Sequence, residues 1–177
     1  NTNPLPMGSL IASANRVGNG FRIRNCVIGP TRSRGISVKA SDGIISGNKV
    51  RDTWGQGIML APVYGWLESG SGSHLLIERN VVERSRDVAI GVYSFGGDGV
   101  TVAPAGAHVD VTVTDNTIED SSMPAIAVTS TMGLSMSRNR VEGEDRSGEY
   151  LLPHHASKFG RAEDPARQIY MKNVVMN

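Results

Sequence analysis

Residues 21–60 read FRIRNCVIGPTRSRGISVKASDGIISGNKVRDTWGQGIML and contain nearly two copies of one repeat. Apolar residues precede and follow one fixed slot at the same offsets in both copies, and the slot recurs down the chain at spacings of 22 to 36 residues. Repetition of this kind is the signature of a solenoid or a related repeat architecture. The slot is occupied by Cys26, Asn48, Asn80, Asn116, Asn139 and, in a sixth copy with a less complete pattern, Asn173.

Each repeat holds three short runs in which apolar residues lie two apart, which is the periodicity of a strand. The runs are rich in Val and Ile and are too short for helices. The tightest repeats are 22 and 23 residues long. Three strands and three turns in so few residues predict one coil of a right-handed parallel β-helix. The chain is therefore predicted to be an all-β, single-stranded solenoid of about five to six coils, stacked roughly 4.8 Å apart.

The slot lies at a sharp corner between two strands with almost no connector. Asn tolerates the left-handed conformation that such a corner needs, and its amide can bond the Asn above and below it. The Asn residues are therefore predicted to form a structural ladder with no catalytic role. Cys26 is expected to fill the same position as a small buried thiol.

Long insertions follow equivalent strands in neighbouring coils. They lie near 61–73, 93–107 and 153–167. Loops on one edge of a rigid scaffold are where function usually lies. The chain, residues 1–177, is expected to be one domain and the C-terminal part of a longer β-helix, because neither end shows a polar cap for an open solenoid edge. Further coils of the parent protein are the expected stacking partner.

Composition excludes several classes of function. The net charge is +1, the pI is about 8.1, and Lys and Arg are scattered, so nothing favours nucleic acid as a partner. One cysteine excludes an internal disulfide. No apolar run is long enough to predict a membrane span, and no signal peptide is visible.

The segment RGISVKASDGIISGNKVRDTWGQGIMLAPVYGWLESG, residues 34–70, resembles the later coils of the β-helical α-1,3-galactosidases. The resemblance extends from about Gly20 to Gly143, and WLESG, residues 66–70, is its most specific part. It implies a glycoside hydrolase that acts on terminal α-galactosides. The family's proposed catalytic aspartates lie on earlier coils in an Asp-Asp strand, and this sequence has no Asp-Asp pair. The resemblance therefore implies that the catalytic carboxylates lie mostly upstream.

Glycoside hydrolysis needs two carboxylates beside the scissile bond. The outward positions of the strands that precede the loops carry no acid, so the catalytic residues stay unknown. Glu68 and Asp98, on loops of adjacent coils, are the candidates, although a solvated loop acid is the ordinary interpretation of each.

Aromatic and basic side chains near the loops are candidates for sugar contact. An aromatic ring can pack against the C–H face of a pyranose. Trp66 either does this or pins its loop to the coil, and Tyr64 and Tyr93 would extend the platform. Lys39 and Arg34 either bond the sugar or are ordinary surface charges.

No metal and no cofactor is predicted. His154 and His155 are adjacent and diverge on an extended chain, which does not suit a metal site. Trp54 is expected to pack under a turn. The expected partner is an oligosaccharide or polysaccharide, and the expected location is extracellular or periplasmic. A non-catalytic glycan-binding or structural module of the adhesin or tail-spike type stays open, as does a polysaccharide lyase or epimerase.

Overall fold

The computed structural model describes residues 13, 15–64, 68, 70–143 and 169–177. These residues form fourteen strands in three series, one for each side of a coil. Face 1 comprises β1 (Arg22–Arg24), β4 (Gly43–Ser46), β7 (Ser73–Glu78) and β10 (His108–Thr114). Face 2 comprises β2 (Val27–Ile28), β5 (Lys49–Arg51), β8 (Val81–Glu83), β11 (Thr117–Glu119) and β13 (Arg140–Glu142). Face 3 comprises β3 (Ile36–Val38), β6 (Ile58–Leu60) and β9 (Val88–Val92).

Two long strands join face 3 to face 1. The first, β12 (Ser122–Ser137), turns the corner at Ser130, which has a φ of 58°. The second, β14 (Ile169–Met176), pairs with β12 on both sides of that corner. The strand pairs formed by the described residues are parallel and follow the coil order, which confirms the predicted parallel β-helix. Within the described residues, the structure contains no helix with the length and apolar character that a membrane crossing requires.

The predicted apolar ladders line the inside of the solenoid. On face 3, Ile36 pairs with Ile58, which pairs with Ile90, and Ile126 and Ile169 continue the row. The other faces carry equivalent rows, and the core residues of the middle coils are almost fully buried. Each such side chain contributes roughly 1.5–3 kcal/mol, so the free energy of unfolding comes largely from contacts between neighbouring coils.

The Asn ladder satisfies buried polar groups at the corner between faces 1 and 2. The Nδ2 of Asn80 donates to Oδ1 of Asn116 and to the carbonyl oxygen of Ile45, both at 3.0 Å. Its Oδ1 accepts from Nδ2 of Asn48 at 2.9 Å and from the backbone N of Asn48 at 3.0 Å. Asn139 ends the row by accepting from Asn116 at 2.9 Å. The side chains are structural bridges between coils.

The left-handed residue at this corner is the one before the Asn, not the Asn itself. Its φ lies between 51° and 65° in every coil described, at Asn25, Gly47, Arg79, Asp115 and Arg138. The expectation that Asn is chosen for left-handed backbone is therefore wrong at the slot. The hydrogen bonds across coils are what the Asn supplies.

Cys26 and Asn173 depart from the predicted ladder. Cys26 is exposed rather than buried, because the described residues place no coil over it, although its backbone N donates to Oδ1 of Asn48 at 3.0 Å. Asn173 lies beside Ser130 at the corner between faces 3 and 1, because β14 starts on face 3. Its Nδ2 donates to the carbonyl oxygen of Ala103 at 2.9 Å instead of to another Asn.

Candidate functional site

Two loops leave face 3 from neighbouring coils and fold back over its outer side. The first loop is residues 61–72, between β6 and β7, and the second loop is residues 93–107, between β9 and β10. Each contains an antiparallel bridge, Val63 to Glu68 in the first and Phe95 to Val102 in the second. Their apolar side chains form a cluster separate from the inner core, called the loop cluster: Met59, Ala61, Val63, Tyr93, Phe95 and Val102.

The loop cluster changes the interpretation of Tyr93. The sequence predicts an outward ring that extends a sugar platform, but the residue is only 8% exposed and its ring lies 5.6 Å from that of Phe95. Burial raises the pKa of the Tyr93 phenol above its usual range. The loops cover this ring, so Tyr93 packs under them rather than presenting its face to a sugar.

His108 holds the bases of both loops and was not identified from the sequence. It is fully buried at the start of β10. Its Nδ1 accepts from the backbone N of Gly72 at 3.2 Å, and its Nε2 donates to the carbonyl oxygen of Tyr93 at 3.1 Å. Burial lowers the pKa of the imidazole, so the neutral form is the one that makes both bonds. The sequence gives one hint of this role, a His at the start of the strand that follows the second long insertion.

The outer side of face 3 is open over its first coil. Ser37 is exposed there, and Lys39 is half-buried. The Nζ of Lys39 forms an ion pair with Oε2 of Glu68 in the first loop at 2.9 Å. The hydrogen bond from Lys39 lowers the pKa of Glu68, so this carboxyl group is ionised at neutral pH. An ionised carboxylate can act as a base or a nucleophile, but it cannot donate the proton that a general acid supplies.

Arg34 stands at the opposite end of β3 from Lys39. Its Nε is shielded from solvent and has no acceptor among the described residues. After the hydrogen bond and charge of Lys39, the charge of Arg34 is a further cause of the lowered pKa of Glu68. An unpaired buried donor is costly. Arg34, Lys39 and Glu68 are therefore one polar group, called the first-coil site.

Two further polar residues, Gln56 and Asp87, lie where the chain enters face 3, and neither was a candidate from the sequence. Asp87 is 6% exposed and accepts from Nε2 of Gln56 in the previous coil and from the backbone N of Val88 at 2.7 Å. Its charge adds to burial in raising the pKa of Tyr93. This places a buried carboxylate close to the loop cluster.

Trp54 lies on the surface beside this entry rim. The sequence predicts that it packs under a turn, but it is 59% exposed, and the guanidinium carbon of Arg86 lies 4.1 Å from the ring centroid. The prediction is wrong because the corner before β6 turns the ring outward to a neighbouring coil's Arg. A cation–π contact of this kind stabilises an exposed ring without burying it.

The remaining candidates are not brought together. Asp98 caps its own turn by accepting from the backbone N of Val100 and Thr101, each at 2.9 Å, and from the Thr101 hydroxyl. The Thr101 hydroxyl is the main cause of its lowered pKa. Glu68 and Asp98 thus have separate partners. Tyr64 is half-buried in the first loop.

Several predicted positions lie outside the described residues. They are Trp66 and the insertion near 153–167, with His154 and His155. The part of the chain that the structure describes holds no group of three or more His, Cys, Asp or Glu side chains suited to a metal ion.

The fold and the comparisons with known proteins agree. Residues 8–141 match the family model described as right handed beta helix region. The chain belongs to the right-handed β-helix family. This β-helix chain is also 27% identical over 160 residues to alpha-1,3-galactosidase B of Bacteroides thetaiotaomicron. The match covers 85% of the chain but only 25% of that relative. No solved structure matches the chain.

Proposed function

We propose that this β-helix is part of a carbohydrate-active protein, specifically of a glycoside hydrolase that acts on terminal α-galactosides. The observation that carries the proposal is the likeness to alpha-1,3-galactosidase B across 85% of the chain. The chain spans a quarter of that relative, so the activity of a whole enzyme is part of the proposal. An extracellular or periplasmic location would suit a protein that meets free glycans.

The first-coil site supports this proposal as the place where a galactose residue binds. Lys39 and Glu68 offer a donor and an acceptor within one ion pair, and the half-buried Arg34 adds a guanidinium beside them. Alternating donors and acceptors suit the hydroxyl groups of a sugar ring. Trp54 on one rim, and Tyr64 and Trp66 in the first loop, are the aromatic residues proposed to contact the ring.

The chemistry assigns Glu68 a limited part. Its ion pair with Lys39 keeps it ionised, so it would serve as a base or a stabilising charge and not as the general acid. Asp98 is occupied in its own turn. A pair of carboxylates about 5–9.5 Å apart must flank the glycosidic bond, so the general acid is a carboxyl group other than those of Glu68 and Asp98.

The test is calorimetric titration of this chain with methyl α-galactoside, before and after Arg34→Met. Met keeps most of the packing of the Arg stem but removes the donor. A hydrogen bond from a charged group contributes about 1.5–3 kcal/mol, so the variant should bind about tenfold more weakly. Arg32→Met, two residues away and exposed, is the matched control and should bind as the wild type does. Equal affinity of the Arg34 variant, or equal affinity for the β-anomer, would contradict the proposal.

A non-catalytic glycan-binding module is the second candidate, and one observation favours it. Neither Glu68 nor Asp98 is arranged as a general acid, and the outward positions of β3 and β6 carry no carboxylate. An assay of galactose release by a longer protein that includes the preceding coils separates the two. Binding without release would favour the module, and release of unsaturated sugars would instead favour a lyase.

A further inference from the structure

A groove of about 470 Å³ lies on the outer side of face 1, away from the loops. Its floor is formed by Ile44, Leu76 and Thr112, which occupy aligned outward positions on β4, β7 and β10, and Arg22 on β1 ends this row. The groove therefore runs across three successive coils, along the solenoid axis. Ile44 and Leu76 are only partly buried, so their side chains offer an apolar strip to a ligand.

One wall of the groove is a row of three polar residues at equivalent corners. Asp42, His74 and Asp110 have φ values of 57°, 53° and 51°, and each side chain is more than half exposed. The Nδ1 of His74 lies 3.0 Å from Oδ1 of Asp42. The Nε2 of His74 lies 3.6 Å from Oδ2 of Asp110, which is beyond hydrogen-bond range.

This row differs from the other charged corners of the solenoid. Asp52 binds Arg84 through two bonds of 2.7 and 3.0 Å, and Asp115 binds Arg138 through two bonds of 2.6 and 2.8 Å. Each of those carboxylates accepts both bonds from a single guanidinium of the next coil, which joins the two coils. In the groove, two carboxylates share one imidazole, so acceptor capacity exceeds what joining the coils needs.

We propose that the face 1 groove binds a stretch of uncharged glycan lying along the solenoid axis. Coils repeat about every 4.8 Å, close to the length of one sugar residue in an extended glycan, so each coil meets one residue. The strip of Ile44 and Leu76 takes the C–H faces, and the carboxylates of Asp42 and Asp110 accept from hydroxyl groups. Asp42 and Asp110 outnumber Arg22, whose Nη1 donates to the carbonyl oxygens of Gly20, Phe21 and Asp42, so the lining disfavours a uronate chain and selects a neutral polymer.

The site is distinct from the first-coil site, and the choice of α-1,3-linked galactosides to test it rests on the proposed function. It would hold the polymer on one side of the solenoid while a terminal residue is bound on another.

The experiment is calorimetric titration of the chain with neutral α-1,3-linked galacto-oligosaccharides from one to four residues long, and with oligogalacturonate of equal length. Affinity for the neutral series should rise up to three residues and then level off. Asp110→Asn should weaken binding of the trisaccharide about tenfold, because it replaces a charged acceptor by a neutral one. Asn keeps the left-handed backbone, so folding is not at issue. Asp120→Asn, at a left-handed corner away from the groove, is the control and should bind normally.

Other outcomes overturn the inference and are separable from failure of the proposed function. Unchanged trisaccharide binding by Asp110→Asn, equal affinity for oligogalacturonate, or binding that requires added calcium would each contradict it. Arg34→Met should bind methyl α-galactoside about tenfold more weakly but keep the length-dependent part of oligosaccharide binding. If both variants lose both ligands together, one shared site replaces the two proposed here.

Discussion

Faces 1 and 3 have the same inner construction but opposite outer surfaces. On face 3, the two loops bury Met59 and Ala61 under a second apolar cluster and leave the first coil open. On face 1, no such insertion follows the strands, and Ile44 and Leu76 border an open groove. The inner ladders therefore decide the fold, whereas the insertions decide which outer surface a ligand can reach.

The largest expected effect comes from breaking what both faces share. Asn80→Ala would leave buried partners in two neighbouring coils unsatisfied, so it should cost on the order of 4 kcal/mol in the free energy of unfolding. Asn139→Ala, at the half-buried end of the row, should cost about 1 kcal/mol. Urea denaturation measures both values. Similar costs at the two positions would show that the ladder does not act through burial.

The next largest effect is expected from a substitution confined to the loop cluster on face 3. Phe95→Ala removes a ring from the loop cluster and should cost about 3 kcal/mol, the low end for a buried Phe. Amide hydrogen exchange should accelerate in both loops and stay unchanged in β4 and β7. Val100→Ala, in the same loop but 74% exposed, is the control. Equal acceleration on face 1 would mean that the loops are part of the main cooperative core.

A smaller effect is expected in the pH dependence of the free energy of unfolding, which should differ between variants of His108 and of His74. Burial in the folded state lowers the pKa of His108 below its ordinary 6.5. As the pH falls, the unfolded chain therefore becomes protonated at His108 before the folded chain does. The stability that neutral His108 contributes is therefore complete above about pH 6.5 and is lost progressively as the pH falls towards the folded pKa. His108→Gln should remove this part of the pH dependence, whereas His74→Asn, on the exposed corner of face 1, should keep it. Unfolding curves between about pH 5 and pH 8 decide this, and an unchanged slope in the Gln variant would refute it.

The smallest expected effect on stability comes from removing the ion pair of the first-coil site. Lys39→Met removes an exposed ion pair and should change the free energy of unfolding by less than about 1 kcal/mol. The pKa of Glu68 should rise, because its hydrogen bond and its nearest positive charge are lost. Carboxyl NMR titration measures the rise. A pKa that does not move would show that the pair is absent in solution.

The sequence was sufficient for the interior because inward side chains alternate and their offsets repeat. Ile58, Val82 and Val113 lie where the spacing predicts, and the four Asn residues at the slot join the coils. The outer surfaces were harder, since they depend on how insertions fold back. The pattern could not show that Tyr93 would be covered.

The last strand and one corner were missed for equally physical reasons. Asn173 occupies a position in the sequence that resembles the Asn slot. The pairing of β14 with β12 places it at the corner between faces 3 and 1, not at the corner between faces 1 and 2. Trp54 looks like a packing residue because Trp usually is, and only the cross-coil Arg86 shows why an exposed ring is tolerated. Both features depend on neighbouring coils rather than on local sequence.

Hydrogen exchange with and without saturating methyl α-galactoside shows which face of the solenoid binds the sugar. The monosaccharide is too short to use the face 1 groove, so we expect slower exchange in residues 34–39 and in the first loop, with no change in β4, β7 and β10. Protection confined to face 1, or no protection anywhere, would contradict the assignment of the sugar site to face 3.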